Sequence, residues 1–148
     1  MKIVYRMLLV LHLIVGIGAV FGGIGTISNP KAPLGVSLDL LKNSPFNDFL
    51  IPGIILFTVI GLGNLAGATA VLLKAKYQAY ISSVFTWALV IWIVVQCVMI
   101  NAVAFLHVLF FIIGVVGAGL SATILFKQRL FPTNIILNLY KRVTGKEA

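Results

Sequence analysis

Long apolar segments and short charged segments alternate along the chain. Asp, Glu, Lys and Arg are absent from residues 7–30, 49–73 and 77–126, and the last stretch is interrupted by the polar residue Asn101. Because about 20 apolar helical residues cross the roughly 30 Å hydrocarbon core of a bilayer, the last stretch is long enough for two crossings. The pattern predicts four transmembrane helices near residues 7–27, 49–73, 77–100 and 102–126, in a single domain of residues 1–148.

The connections between these segments predict how the helices are arranged. Only residues 74–76 join the second segment to the third, and a few residues around Asn101 join the third to the fourth. Loops this short make consecutive helices antiparallel neighbours. The expected fold is therefore an all-α, antiparallel four-helix membrane bundle.

The one long connection is the outer loop at residues 28–48. Leu34, Leu38 and Leu41 recur in it at the spacing of one helical face. This spacing predicts a short amphipathic helix at about residues 34–46, which either lies on the outer membrane interface or caps the bundle. Asp48 follows, and its carboxylate is expected to cap the start of the second helix.

The tail at residues 127–148 has a second amphipathic pattern. Lys141 and Arg142 lie opposite an apolar face. That face is formed by Ile135, Ile136, Leu139, Tyr140 and Val143. The pattern predicts a short basic helix at the inner membrane interface, where it acts as an anchor or as a docking helix for a partner.

Composition and charge agree with a lipid environment and indicate an orientation. Hydrophobic residues make up 61% of the chain and charged residues 9%, with a mean hydropathy of +1.14, whereas soluble domains have about 25% charged residues. Of the 11 Lys and Arg residues, only Lys31 and Lys42 fall in the outer loop. The others are Lys2, Arg6, Lys74, Lys76, Lys127, Arg129, Lys141, Arg142 and Lys146.

This charge bias predicts in which membrane the protein lies, how it is oriented and which partners it has. Since Lys and Arg near the ends of spans stay in the cytoplasm, we expect both termini inside, in the cytoplasmic membrane. Anionic lipids of the inner leaflet are then expected partners. No basic segment is interleaved with aromatic residues, so nucleic acid is not an expected partner.

Small residues recur on the first two predicted spans. The first has Gly18 and Gly22 on one face with Gly23 beside them, and the second has Gly63 and Gly67. Such spacing lets helix backbones approach closely in lipid. Packing within one bundle explains one face, and the second small face of the first span suggests contact with another subunit, in a homo-oligomer or a larger membrane complex.

Four polar side chains, those of His12, Asn64, Gln96 and His107, fall at membrane depth. Gln96 and His107 are expected at similar depth in adjacent helices, where a direct hydrogen bond between them is feasible. With Asp48, Asn101 and Trp92, they are candidates for a small outer-facing polar pocket. The alternatives are a simple interhelical hydrogen bond and a ligand- or proton-sensing site. Trp92 itself either packs in the core or stacks on a ligand.

Several chemistries lack the residues they need. No acidic residue lies inside a span, and Cys97 is the only cysteine, so paired-carboxylate catalysis, a C-x-x-C redox relay and a protein-ligated metal are not expected. We expect no catalytic residue, no cofactor and no metal. The favoured function is a non-enzymatic accessory or interaction protein, and the alternative is a carrier for a small apolar or lipid-like ligand.

Two stretches resemble a group of known proteins. The run LLKNSPFNDFLIPGIILF at 40–57 and the run WIVVQ at 92–96 resemble those of small bacterial four-span membrane proteins of no assigned function, over most of residues 7–126. The number of spans and the glycine-rich second span are also loosely similar to DoxX-like proteins. The resemblance implies a bacterial inner-membrane setting and no particular reaction, cofactor or substrate.

Overall fold

The computed structural model describes residues 1–145, so Lys146, one of the basic residues of the predicted inner side, lies outside the described part. Four helices are long and apolar enough to cross a membrane: Lys2–Ser28, Leu50–Leu72, Gln78–Ile100 and Phe105–Lys127. A shorter helix follows at Thr133–Thr144. The predicted all-α fold of four long helices and a C-terminal helix is confirmed, and residues 1–145 contain no strand.

Glycines on both helices set the distance between the first and second helices. A Cβ atom built at Gly23 would lie 2.6 Å from Cβ of Phe57, and one built at Gly61 would lie 2.9 Å from Cγ2 of Val20. Side chains of each helix thus fill the gaps that the glycines of the other leave, and dispersion holds such close backbones together in lipid. The fourth helix packs along the third and closes the bundle against the inner half of the first.

The second helix changes its geometry in the middle. Residues Leu56–Leu62 form a π-helical segment between two regular α-helical segments. Within this irregular stretch, the carbonyl oxygen of Ile60 accepts a hydrogen bond from Nδ2 of Asn64 at 2.8 Å. Side chains commonly satisfy backbone groups in this way where a transmembrane helix is irregular. Since π-helical turns occur frequently at functional sites, this segment directs attention to the surfaces that it borders.

The outer loop differs from the predicted amphipathic helix. It forms two separate 3₁₀ turns, Pro33–Gly35 and Leu38–Leu41, in place of one continuous helix. The break has a local cause, because Leu34 and Gly35 have positive φ angles of 52° and 83°, which a right-handed helix does not contain. The three leucines therefore do not share a face, and Leu34 is 82% exposed.

The second half of the outer loop caps the bundle, which was one of the two predicted placements. Leu41 is buried against Phe49 and Met99, at the outer ends of the second and third helices. The carboxylate of Asp48 accepts a hydrogen bond from the Leu50 backbone N–H at 2.9 Å. Asp48 therefore satisfies one free N–H of the first turn, as predicted, although the N-cap residue is Phe49, which makes no side-chain capping bond.

This loop also contains an exposed ion pair. Lys42 Nζ lies 2.9 Å from Oδ1 of Asp39. The hydrogen bond and charge of Lys42, with a further hydrogen bond from Ser37, lower the pKa of the Asp39 carboxyl below its ordinary value. Water screens a pair this exposed, so its contribution to stability is small.

Two helices end at the same side of the bundle with a basic residue in a left-handed conformation. Lys74 follows the second helix with φ 51°, and Arg129 follows the fourth with φ 49°. Next to each, a backbone N–H reaches back to the helix: Ala75 to Ala70 at 2.9 Å and Leu130 to Leu125 at 3.0 Å. Glycine is the usual residue at this position because it has no Cβ penalty there. The cation compensates in part, since it faces the negative end of the helix dipole.

The C-terminal helix is joined to the bundle at its first residue. Thr133 is buried, and its hydroxyl donates to the carbonyl oxygen of Leu125 at 2.9 Å. Beyond that residue, the helix exposes the apolar face that the sequence predicted, including Leu139 and Val143. An exposed apolar face opposite Lys141 and Arg142 suits the interface between lipid and water.

Candidate functional site

A cavity of about 240 Å³ lies in the outer half of the bundle, between all four long helices. The second helix contributes Leu56 and Ile60, both from its π-helical segment. The other lining residues are Val15, Gly18, Ala19, Gly22, Leu89, Trp92, Ile93, Gln96, Leu106, His107 and Phe110. Gly18 and Leu106 are also exposed on the bundle surface, so the cavity opens sideways between the first and fourth helices.

Three side chains with polar groups interrupt this otherwise apolar wall: those of Trp92, Gln96 and His107. Trp92 is only 7% exposed, and its indole nitrogen is buried with no hydrogen-bond partner in residues 1–145. A buried N–H without an acceptor carries a free-energy cost of about 1–3 kcal/mol. The wall therefore contains a donor that an added acceptor would satisfy after a small shift of the ring.

The ring of His107 is held in one tautomer by the start of its own helix. Its Nδ1 atom accepts a hydrogen bond from the Ala104 backbone N–H at 3.0 Å. Because a backbone N–H only donates, the proton of the neutral imidazole is on Nε2. His107 thus adds a second hydrogen-bond donor to the same region as Trp92.

The predicted outer polar pocket is partly assembled. Trp92, Gln96 and His107 do line one cavity, but Asp48 caps the second helix and does not line it. Asn101 ends the third helix in a left-handed conformation and lines a separate surface groove of about 530 Å³, which it shares with His107. Among the hydrogen bonds of residues 1–145, none joins Gln96 to His107, and Nδ1 of the imidazole pairs instead with the Ala104 backbone N–H.

The candidate glycines have two different surroundings. Gly18 and Gly22 line the cavity, where the first helix faces the fourth and second. Gly23, Gly63 and Gly67 are buried against Phe57, Phe85 and His12 of the same chain. Contact of these glycines with another subunit stays a prediction. The same chain already covers Gly23, Gly63 and Gly67, whereas Gly18 is exposed.

Sequence reasoning noted His12 and Asn64 separately and missed that they pair. Nδ1 of His12 lies 2.8 Å from Oδ1 of Asn64, and each residue is only 1% exposed. Since the Asn64 amide nitrogen donates to Ile60, its oxygen faces the imidazole and the His12 Nδ1–H is the donor. A depth count along antiparallel helices does not suggest the pair, because His12 is six residues from Arg6 whereas Asn64 is ten residues from Lys74.

Further buried polar side chains lie at about the level of His12. Ser82 and Thr86 of the third helix and Ser121 of the fourth are all buried. Thr86 and Ser121 bond to carbonyls of their own helices at 2.8 Å and 2.9 Å. Nε2 of His12 and the Ser82 hydroxyl have no partner within residues 1–145. This polar layer is distinct from the outer cavity and closes the bundle beneath it.

The titratable residues of the described part, residues 1–145, are spread over different layers of the bundle. Within residues 1–145, no three His, Cys, Asp or Glu side chains lie close enough together to hold one metal ion. His12 and His107 belong to different layers of the bundle, and Cys97 lines the groove between the third and fourth helices. The residues that line the cavity offer hydrogen bonding and apolar contact.

No family model, curated protein or solved structure matches the chain. Its function is therefore inferred from the site.

Proposed function

We propose that the protein binds a small, mostly apolar molecule that dissolves in the membrane, in the cavity between its four helices. The observation that carries the proposal is a 240 Å³ cavity in which Trp92, Gln96 and His107 interrupt an apolar wall. A dry cavity of about 150 Å³ accommodates a benzene ring. The space here suits one ring or a short length of alkyl chain together with one polar group.

The wall favours a hydrogen-bond acceptor on this molecule. Trp92 supplies an indole N–H without a partner, and His107 supplies an Nε2–H. Gln96 both donates and accepts. A carbonyl, ether or hydroxyl oxygen at one end of an apolar molecule satisfies these groups, and its apolar part covers Val15, Leu89 and similar side chains.

The opening of the cavity suggests the route of the ligand. Gly18 of the first helix and Leu106 of the fourth are exposed at the opening. The two helices pack together in the inner half of the bundle, where Leu8 and Ile124 are buried in one cluster. In the outer half, residues of both helices line the cavity. A molecule dissolved in the outer leaflet reaches the site sideways, without crossing water.

Filling the cavity tests this function. A Cβ atom at Gly18 would have only an ordinary contact, 3.8 Å from Phe110, so Gly18→Leu adds its branched end to the cavity with little strain. Gly119→Leu is the matched control, because no atom lies within 4 Å of its Cβ position. Both variants and the wild type are purified in mild detergent, and small molecules that copurify are extracted and identified by mass spectrometry.

The wild type and the Gly119→Leu protein should retain the same apolar compound in similar amount, and Gly18→Leu should lose most of it. Equal recovery from Gly18→Leu, or no compound from any of the three, would contradict the proposal.

The accessory role predicted from the sequence receives support from a different surface. The apolar face of the C-terminal helix is exposed, with Ile135 53% and Val143 81% accessible. Either a membrane surface or a partner protein can cover such a face. The cavity is the more specific feature, so we place ligand binding ahead of an accessory role, and we propose no enzymatic activity.

The membrane and the orientation are part of the same proposal. We place the protein in a bacterial cytoplasmic membrane with both termini inside, because eight of the basic residues in the described part lie at the end opposite the outer loop. In a Cys97→Ser background, a membrane-impermeant maleimide should label Ser37→Cys on whole cells and not Thr144→Cys. Labelling of Thr144→Cys from outside would reverse the orientation.

A further inference from the structure

A basic groove of about 440 Å³ lies at the end of the bundle opposite the outer loop. It is formed by the start of the first helix, the end of the second and the start of the third. Its lining residues are Lys2, Tyr5, Arg6, Val71, Lys74 and Gln78. This groove is separate from the ligand cavity, and none of its residues lines that cavity.

The groove is strongly positive. Lys2, Arg6 and Lys74 are three of its six lining residues. Asp39 and Asp48 belong to the outer loop, so no acidic side chain lies at this end of residues 1–145. The first turns of the first and third helices add the positive ends of their dipoles, and the end of the second helix adds one negative end, which Lys74 offsets. An anion is therefore the ligand class that the groove favours.

Tyr5 provides a positioned hydroxyl at the same groove. Its oxygen accepts a hydrogen bond from Nε2 of Gln128 at 2.9 Å, which joins the first helix to the end of the fourth. That bond leaves the hydrogen of the hydroxyl free to donate to another acceptor. A phosphate oxygen held by the three cations is a suitable acceptor.

The floor of the groove is apolar. Val71 lines it and belongs to a buried cluster with Leu8, Ala79 and Ile124. A ligand with a charge at one end and hydrocarbon at the other can contact both the cations and the apolar floor. A free inorganic anion can contact only the cations. The helix ends at this level also coincide with the region where lipid headgroups meet hydrocarbon.

We propose that this groove binds the phosphate of an anionic glycerophospholipid from the adjoining leaflet. Lys2, Arg6 and Lys74 contact the phosphate oxygens, the Tyr5 hydroxyl donates a hydrogen bond to one of them, and Val71 contacts the start of the hydrocarbon. The site does not depend on the outer cavity or on its ligand. It differs from general attraction of a basic surface to anionic lipid, because it requires these particular cations.

Two residues with the same backbone conformation allow a controlled test. Lys74 and Arg129 both carry a charge in a left-handed position after a helix, but only Lys74 lines the groove. Lys74→Gly and Arg129→Gly each remove one cation, and each replaces a strained residue by the one that suits the position. Neither variant is expected to unfold, so a loss of binding is not a loss of structure.

Native mass spectrometry of the full chain measures binding of phosphatidylglycerol to each protein. Lys74→Gly should weaken the affinity about fivefold, and the combination of Lys2→Gln, Arg6→Gln and Lys74→Gly about 100-fold, from about 1 kcal/mol for each cation near a lipid headgroup. Arg129→Gly should leave the affinity within about twofold of the wild type. Phosphatidylcholine, and inorganic phosphate at the same concentration, should bind far more weakly to the wild type.

Two results would overturn the site. Equal losses for Lys74→Gly and Arg129→Gly would show that lipid responds to total charge and not to the groove. Binding of inorganic phosphate as tight as that of phosphatidylglycerol would identify a free phosphate site in place of a lipid site.

Discussion

The imidazole of His12 and the carboxamide of Asn64 form a buried hydrogen bond between the first and second helices, with 2.8 Å between Nδ1 and Oδ1. The same carboxamide donates to the carbonyl of Ile60 in the π-helical segment. The Asn64 side chain therefore hydrogen-bonds both to His12 of the neighbouring helix and to the irregular backbone of its own helix. Since Ile60 lines the outer cavity, this pair positions part of the cavity wall.

Removing the Asn64 carboxamide should destabilise the bundle. Asn64→Leu leaves the buried His12 Nδ1–H without its acceptor and removes one hydrogen bond to the Ile60 carbonyl. The free energy of unfolding should therefore fall by about 1–2 kcal/mol, near the upper end measured for interhelical hydrogen bonds in membranes. Reversible unfolding in mixed micelles measures the change. Thr123→Val is the control: its hydroxyl is exposed and bonds only to Gly119 of its own helix, so the change should stay below about 0.5 kcal/mol. Equal stability of Asn64→Leu and wild type would contradict this role.

Gly67 is the position where the His12 ring meets the second helix. A Cβ atom there would lie 2.8 Å from Cε1 of His12, and the ring is buried and bonded to Asn64. Gly67→Ala should therefore lower the unfolding free energy by about 1–3 kcal/mol through overpacking. Gly119→Ala, in open space, should instead gain up to about 1 kcal/mol from helix propensity. The same unfolding assay compares the two, and a stabilised Gly67→Ala protein would show that the helices separate freely.

Replacing the left-handed residues at helix ends by glycine should change stability by an amount that depends on the residue replaced. Lys74→Gly and Arg129→Gly should each raise the free energy of unfolding, by up to about 1 kcal/mol, because a Cβ atom is unfavourable at their φ angles of 51° and 49°. Asn101→Gly, at the same φ of 49°, should change stability less because Asn tolerates this conformation. Thermal unfolding of the three variants in one detergent provides the comparison. A loss of stability in both basic variants would mean that their interaction with the helix dipole outweighs the strain.

Substitution of Leu41 by alanine should cost more stability than substitution of Leu34, although their spacing in the sequence placed them on one face. Leu41 is 4% exposed and packs on Phe49 and Met99, so Leu41→Ala should cost about 2–3 kcal/mol of unfolding free energy. Leu34 is 82% exposed, and Leu34→Ala should cost less than about 0.5 kcal/mol. Equal costs in a denaturant titration would restore the single amphipathic helix that the spacing predicted.

Features that depend on local pattern were predictable, and features that depend on how helices meet were not. The four helices and the Asp48 cap follow from hydropathy and from a carboxylate placed just before a helix. The break at Leu34 and Gly35 depends on backbone angles that leucine spacing does not encode. The predicted pocket contained Trp92, Gln96 and His107 because they lie at similar depth on adjacent helices. Asn101, where the third helix ends, lines a neighbouring groove together with His107 instead.

The glycines also show which features of a helix interface the sequence does not predict. Their spacing indicated close packing but did not identify the partner, and only the structure places Gly23 on Phe57 and Gly67 on His12. The cavity beside Gly18 was equally hidden, because it depends on how the side chains of four helices meet.

Fluorescence of Trp92 tests the central proposal, a ligand site in the outer cavity, most directly. Trp87 is 54% exposed on the bundle surface, and Trp87→Phe leaves Trp92 as the single tryptophan. The probe is 4-bromobenzyl alcohol, an apolar ring with one hydroxyl and a heavy-atom quencher. In the Trp87→Phe protein, the probe should quench Trp92 along a saturable curve. Adding Gly18→Leu should abolish the saturable phase, and adding Gly119→Leu should leave it unchanged. Quenching that rises linearly with probe concentration, or a saturable curve that survives Gly18→Leu, would contradict a ligand site in this cavity.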